Sequence, residues 1–286
     1  MLALDLDGTL LNSRGELPER NFQAIAAARK LGVHVTLVTG RRFRDARPLA
    51  LRLGLDVPVI SHNGALTKHA RTLETVAVQL LPLEAAREVL RLGRAAGADA
   101  LVSDDPEGKG VLVYDYLSDD NDALAKYIAW SRRIHGAEAE EAVRRVPLLE
   151  DYLDHAPVHI TFSGNLARMR SVQESLLQEL GASVKVLCTI YPKTDFALVD
   201  VLHPEASKGT GVKAAAEEQG LTRHEVMAIG DNFNDLEMLQ YAGTGVLMGN
   251  ADESLRALLQ DFGCQTTATN DEDGVSLAIE KFILRR

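Results

Sequence analysis

The sequence predicts an α/β fold, with a doubly wound, mostly parallel sheet built from both ends of the chain and an α/β domain inserted between them. Three observations carry this expectation. Short apolar runs near both termini end in polar or glycine-containing clusters and are followed by helical patterns. These runs are almost continuously apolar, as strands covered on both faces of a parallel sheet are. The middle segment instead mixes helices with strands joined by hairpin-like turns. A chain of 286 residues is long enough for two domains. The expected boundaries are 1–82 with 203–286 for the discontinuous core, and 83–202 for the insertion.

In order, Leu2-Ala3-Leu4 is a short strand interrupted by Asp5 and Asp7 and stopped by Gly8. A helix over 19–31 follows, ended by Gly32 as a C-cap. The β-branched run 33–38 stops at Thr39-Gly40, a second helix spans 44–53, and strand 58–61 stops at Asn63-Gly64. Near the other end a helix over 209–220 precedes strand 225–229, which stops at Gly230-Asp231. A helix over 234–241, a strand over 245–248 stopped by Gly249-Asn250, and a helix over 274–283 complete the pattern. The middle segment predicts helices at 83–95, 122–135 and 166–180 and strands at 159–162, 184–187 and 197–201. Turns are expected at Pro106-Glu107-Gly108 and Pro192-Lys193-Thr194. Tyr127, Trp130 and Ile134 mark a helix face expected to pack inside the insertion.

Acidic residues outnumber basic ones, 41 against 31, for a net charge of −10. Such a chain is a poor binder of nucleic acid or anionic membrane, although a metal and a few cations can reverse the field locally for a small anion. Cys188 and Cys264 make no disulfide framework and read as small buried hydrophobes. No apolar run reaches the ~18 residues of a membrane span, and the N-terminus meets aspartate before a signal core forms. The expectation is a soluble cytoplasmic protein.

In an open parallel sheet, ligands sit beyond the carboxyl ends of the strands. Four polar clusters fall there: Asp5/Asp7, Thr39/Gly40/Arg41, Asn63/Gly64 and Asp231/Asn234/Asp235. On a continuing strand Asp5 and Asp7 would share one face, and Asp231 and Asp235, four apart, would straddle a helix start. Carboxylates that close repel unless a cation or a proton intervenes. Carboxylate oxygens without a His/Cys cluster suit Mg²⁺. The competing reading is that these aspartates only cap turns.

These residues carry a resemblance. Asp5-Leu6-Asp7-Gly8-Thr9-Leu10 resembles the first motif of the haloacid dehalogenase-like (HAD) phosphatases. Thr39-Gly40-Arg41 resembles the second, Lys208-Gly209 the third, and Gly230-Asp231-Asn232-Phe233-Asn234-Asp235 the fourth. Asn63-Gly64-Ala65, Met248-Gly249-Asn250-Ala251 and Asn270-Asp271-Glu272-Asp273-Gly274-Val275 resemble the Cof-type branch, subclass IIB, in which a large α/β cap lies between the second and third motifs. The resemblance implies Asp5 as nucleophile forming an aspartyl-phosphate and Asp7 as general acid and then base. It implies a Mg²⁺ ion held by Asp5, the Asp7 carbonyl, Asp231 and, directly or through water, Asp235. Lys208, Thr39, Gly40 and Asn234 would contact the phosphoryl group, with Arg41 and Asn63 touching substrate or phosphate. Arg41 is equally well read as one half of a surface ion pair. Arg42 stands where many relatives have proline and is expected on the surface.

The resemblance implies a Mg²⁺-dependent phosphatase of small phosphorylated metabolites, sugar phosphates first and a pyridoxal- or flavin-type phosphate second. It would be a monomer or small homo-oligomer with no nucleic-acid or membrane partner. The rivals are a phosphomutase or phosphotransferase with the same intermediate, a phosphosugar-binding protein without turnover, and a dehalogenase. Other signals are discounted. The glycines at 209 and 211 follow no strand, as a dinucleotide fingerprint requires. Gly108-Lys109 lacks the first glycine of a P-loop, and His155 and His159 are about 13 Å apart on a strand, too far to share zinc. Turns around 104–109 and 191–195 are candidate sites of substrate choice.

Overall fold

The computed structural model describes residues 1–191 and 194–285. The chain divides into two compact units, Met1–Ala77 with Ser207–Arg286, and Val78–Ala206. Its strands are β1 (Leu2–Asp5), β2 (Val35–Val38), β3 (Val59–Ser61), β4 (Leu66–Lys68) and β5 (Thr75–Val78). Then come β6 (Asp99–Asp104), β7 (Val111–Tyr114), β8 (Val143–Arg145), β9 (His159–Gly164), β10 (Lys185–Tyr191) and β11 (Phe196–Leu202). The last are β12 (Met227–Gly230), β13 (Thr244–Leu247) and β14 (Gln265–Thr266).

The first unit is built on one sheet in the order β14-β13-β12-β1-β2-β3-β4-β5. Leu2 of β1 lies level with Val35 of β2 and with Met227 of β12, both parallel. Every residue of β1, β2, β3 and β12 is buried, which is why these strands read as apolar runs and not as alternating ones. The β3–β4 hairpin departs from the parallel scheme. The order reverses beside β1, with β2 and β3 on one side and β12 and β13 on the other. A doubly wound sheet opens its ligand crevice at such a point.

Met1, Ala3, Val38 and Ile60 pack with Val212 and Ala215 of the helix Lys208–Glu218, Met238 of Leu236–Tyr241 and Leu255 of Glu253–Gln260. Burying each such branched side chain contributes roughly 1.5–3 kcal/mol. The helix Glu19–Lys30 is tied to the C-terminal helix Gly274–Ile279, because the buried Asn21 accepts from the Ser276 amide and donates to the Leu10 carbonyl. Gly32, at φ +80°, ends the first of these helices as expected.

The second unit holds a sheet in the order β10-β11-β9-β6-β7-β8, antiparallel except between β7 and β8. One face packs on the helices Leu83–Ala95 and Leu166–Leu180 through Leu90, Val102, Ile160, Phe162, Val172 and Leu176. The helix Asp122–His135 covers β6 and β7 from the other side. It buries Leu124, Ile128 and Ser131, whereas Trp130 and Ile134 are 36% and 45% exposed, contrary to the sequence expectation. The apolar pattern continues around this helix. The sheet takes the aliphatic stripe, with Tyr127 partly buried against it as expected and stacked on the exposed Trp130 at 5.8 Å.

The β6–β7 turn closes on Asp105, which has φ +62° and accepts from the amides of Gly108 and Gly110. Of the other expected turn, Pro192 and Lys193 lie outside the described residues, which resume at Thr194. Both cysteines are partly buried and free, and burial pushes their thiols up. His155 contacts Asp104 and Asp154 and shares no site with His159. Among the described residues no helix is long and apolar enough to cross a membrane.

Candidate active site

Asp5 closes β1 and lies level with Val38, so Thr39 leaves β2 at the same sheet edge. Leu4 is level with Ile229, which puts Asp231 just past the end of β12. Asn63 occupies the one-turn helix His62–Gly64 that follows β3, with φ +53°. The four polar clusters therefore emerge beyond the carboxyl ends of neighbouring strands. Backbone bonds lock two of them together, Thr39 N–H to the Ile60 carbonyl and Asn63 N–H to the Thr39 carbonyl.

Lys208 opens a helix whose N-cap, Ser207, accepts from the Thr210 amide. Its side chain is 1% exposed, and Nζ donates to Oδ1 of Asp5 and Oδ1 of Asp235, each at 2.6 Å. The other Asp235 oxygen accepts from the amides of Asp231 (2.9 Å) and Asn232 (3.0 Å). Asp231 accepts from the Thr9 hydroxyl at 2.7 Å and from Asn250 Nδ2 at 3.4 Å. One oxygen each from Asp5, Asp231 and Asp235 fall within 4.8 Å of one another.

Burial, and then Asp235, hold the Asp5 carboxyl well above the usual range, against the pull of Lys208. Asp231 is pushed up to about 6 by burial and by Asp235, with the Thr9 hydroxyl opposing. Burial alone would lower Lys208, but Asp235 and Asp5 outweigh it and raise its pKa. Three carboxylates thus gather around one directly bonded ammonium. Every donor is a carboxylate oxygen, which is the chemistry of a hard divalent cation and not of a zinc site. The cluster therefore fits a metal of the magnesium type, whose charge would offset the burial and the repulsion that raise Asp5 and Asp231.

Asp7 stands apart from this cluster. The strand ends at Asp5, so the shared face expected for the pair does not form. Asp7 lies in the following turn, its side chain 59% exposed, and accepts both arms of Arg41, Nε at 2.8 Å and Nη2 at 2.5 Å. The expected ion-pair role of Arg41 is thus present, with Asp7 as its partner. Arg42 is a correction. Instead of pointing to solvent it is 6% exposed and paired with Asp45, because the chain turns inward into the helix Phe43–Arg52.

The Thr39 hydroxyl accepts from the Arg41 amide at 3.0 Å. A Cβ at Gly40 would come 3.0 Å from the Asn63 amide oxygen, so glycine lets that side chain lie against the second loop. Asn63 Oδ1 accepts from Asn234 Nδ2 at 2.9 Å, and Asn234 Oδ1 is buried without a protein partner among the described residues. That leaves an amide pair with unspent hydrogen-bonding capacity beside Thr39. Two residues with no individual role in the sequence reading, Thr9 and Asn250, prove to hold Asp231. Both lie inside the quoted motifs, but their partners are 222 and 19 residues away.

Residues 2–279 match the family model of haloacid dehalogenase-like hydrolases. The chain is 30% identical to the pyridoxal phosphate phosphatase YbhA of Escherichia coli, over 90% of each protein. It is 28% identical to the 5-amino-6-(5-phospho-D-ribitylamino)uracil phosphatase YwtE of Bacillus subtilis, over 99% of this chain and 97% of that one. Among solved structures it resembles a haloacid dehalogenase-like hydrolase from Bacteroides thetaiotaomicron, with a TM-score of 0.78 and 26% identity over 99% of this chain and 98% of the other. With a matching model over nearly its whole length and the motif residues gathered at one sheet edge, the chain belongs to the haloacid dehalogenase-like hydrolase family.

Proposed function

We propose that the protein is a Mg²⁺-dependent phosphomonoesterase that hydrolyses small phosphorylated metabolites, sugar phosphates foremost, through a phosphoryl group carried on Asp5. The observation that carries this reading is the buried Lys208 bridging Asp5 and Asp235 beside Asp231. A ligand-binding protein has no use for a nucleophile-sized carboxylate held there at such electrostatic cost. The names of the two curated relatives agree in substrate class, since both are phosphatases of small phosphorylated metabolites.

Asp5, Asp231 and Asp235, with the Asp7 carbonyl, would hold the metal. When bound, it supplies positive charge that offsets the phosphoryl oxygens and keeps Asp5 ionised. An Asp5 oxygen bonds to phosphorus as the bond from phosphorus to the leaving alcohol breaks, and Asp7 protonates that alcohol. Asp7 then takes a proton from the water that attacks the aspartyl-phosphate, which frees inorganic phosphate and regenerates Asp5. In the resting arrangement Asp7 is bound to Arg41, so proton delivery requires it to let go. The freed guanidinium then takes a substrate or phosphoryl oxygen. Lys208, Thr39, Gly40, Asn63 and Asn234 supply the remaining donors around the phosphoryl group. Substrate choice is assigned to the inserted unit, none of whose residues the phosphoryl chemistry uses. The net charge of −10 argues against nucleic-acid and anionic-membrane partners, and we propose a cytoplasmic monomer or small homo-oligomer.

The test is phosphate release from a panel of sugar phosphates, pyridoxal phosphate, flavin mononucleotide and an aryl phosphate, with Mg²⁺ and with excess chelator. Metal-dependent release, strongest with a sugar phosphate, is expected. No release from any member by folded, metal-loaded protein would replace the hydrolase with a transferase or a binding protein.

A further inference from the structure

Asn250 is solvent-exposed, yet its side-chain amide is fully employed facing inward. Nδ2 donates to the Gly8 carbonyl at 2.9 Å and to Asp231 Oδ2 at 3.4 Å, and Oδ1 accepts from the Asn270 amide at 3.0 Å. The residue thereby joins three segments that are far apart in sequence: the loop after β1, the loop after β12 and the loop before the C-terminal helix. Its position is set by its own backbone. Gly249 N–H bonds to the Ala268 carbonyl, and a Cβ at Gly249 would meet the backbone of Ala268 and Thr269 at 2.9 Å.

The Asp231 carboxylate is held on both oxygens, by Thr9 on one and by Asn250 on the other, and pressed against Gly8, where a Cβ would lie 2.3 Å from Oδ2. Contacts on both oxygens disfavour rotation of this carboxylate out of the cluster, the Thr9 bond at 2.7 Å more strongly than the Asn250 contact at 3.4 Å. Partners that fix a ligand's orientation are where metal affinity is set beyond the ligands themselves.

We propose that Asn250 is a positioning residue for the metal, holding the Asp231 carboxylate and the Gly8 carbonyl so that the acidic cluster is preorganised before the ion arrives. This rests on the divalent-metal reading of that cluster, but not on the substrate or on turnover. Because Asn250 is exposed, its truncation removes little packing, and the folded metal-free protein should tolerate it.

The test compares wild type, Asn250→Ala and Asp271→Ala by calorimetric titration of the metal-free protein with Mg²⁺, and with Mn²⁺ as a second probe. Thermal unfolding in excess chelator accompanies each. Asp271 accepts from the Ser13 amide in the same bracing region without touching the cluster, so its variant reports general loosening of the loop. Asn250→Ala should weaken metal binding by about tenfold or more. Its chelated Tm should stay close to wild type, and kcat should recover at saturating Mg²⁺. Asp271→Ala should bind metal like wild type. Unchanged metal affinity in Asn250→Ala would overturn the assignment, as would equal weakening in Asp271→Ala. Wild-type protein that binds neither ion would overturn it together with the metal reading. Metal binding without phosphate release would leave Asn250 in its role and remove only the phosphatase reading.

Discussion

Lys208 is the cation that bonds directly to the buried acidic cluster, and its two 2.6 Å bonds account for why Asp5 and Asp235 coexist in the interior. Removing one member of a buried ion network strands the others. Lys208→Met should therefore cost roughly 3–5 kcal/mol of stability at neutral pH, read by chemical denaturation in the absence of metal. Asp231 gives the opposite sign. Its folded pKa of about 6 lies above the ordinary 3.8, so the folded protein binds that proton more tightly than the unfolded chain does. The associated stability is present at low pH and is lost as pH rises through about 6. In excess chelator Asp231→Asn should consequently unfold several degrees above wild type at pH 8, and the gap should close toward pH 4. Wild type should regain the difference on adding Mg²⁺ and the variant should not. A variant less stable than wild type at pH 8 would contradict the repulsion described for this cluster.

At the scale of the element, the site depends on loops that approach one another more closely than any side chain would permit. Gly64, at φ +95°, brings the turn after β3 against the helix that carries Lys208, and a Cβ there would sit 1.8 Å from the Ser207 carbonyl oxygen. Gly32 has a positive φ but open space around it. Gly64→Ala should destabilise the protein by more than about 2 kcal/mol and depress activity with it. Gly32→Ala should cost about 1 kcal/mol and leave activity unchanged. Denaturant midpoints and phosphate release on the two variants check both.

The elements themselves were legible in the sequence wherever one residue pattern allowed one outcome. The helices Leu83–Ala95, Asp122–His135 and Leu166–Leu180 have the expected bounds, and the buried strands of the first unit were visible as uninterrupted apolar runs. What was not legible was decided by tertiary partners. Trp130 looked like core because nothing local tells which of two apolar stripes the sheet takes. Arg42 looked like surface because Asp45 becomes its buried partner only once the helix turns inward. Strand periodicity places Asp7 beside Asp5, but the strand ends at Asp5, two residues short, and Arg41, 34 positions away, claims its carboxylate. Thr9 and Asn250 were hidden for the same reason, because their roles are defined by Asp231.

At the scale of the whole molecule, the chain closes one buried acidic cluster from its two ends. Asp5 and Lys208 are separated by 203 positions and meet because β1 is hydrogen-bonded between β2 and β12. The cluster places a buried carboxylate, a cation and a candidate site for a divalent ion at the carboxyl edge of one sheet, with the remaining polar donors around it. In the proposed mechanism this arrangement makes Asp5 a nucleophile toward phosphorus, which mass spectrometry can test. The measurement is mass spectrometry of protein acid-quenched during turnover of an aryl phosphate, comparing wild type with Asp5→Asn. A phosphoryl group is expected on the peptide that contains Asp5, present with Mg²⁺ and absent in excess chelator. The folded Asp5→Asn variant should be slower by at least about a thousandfold. Turnover at the wild-type rate by Asp5→Asn, or a phosphoryl group carried on any other residue, would contradict it.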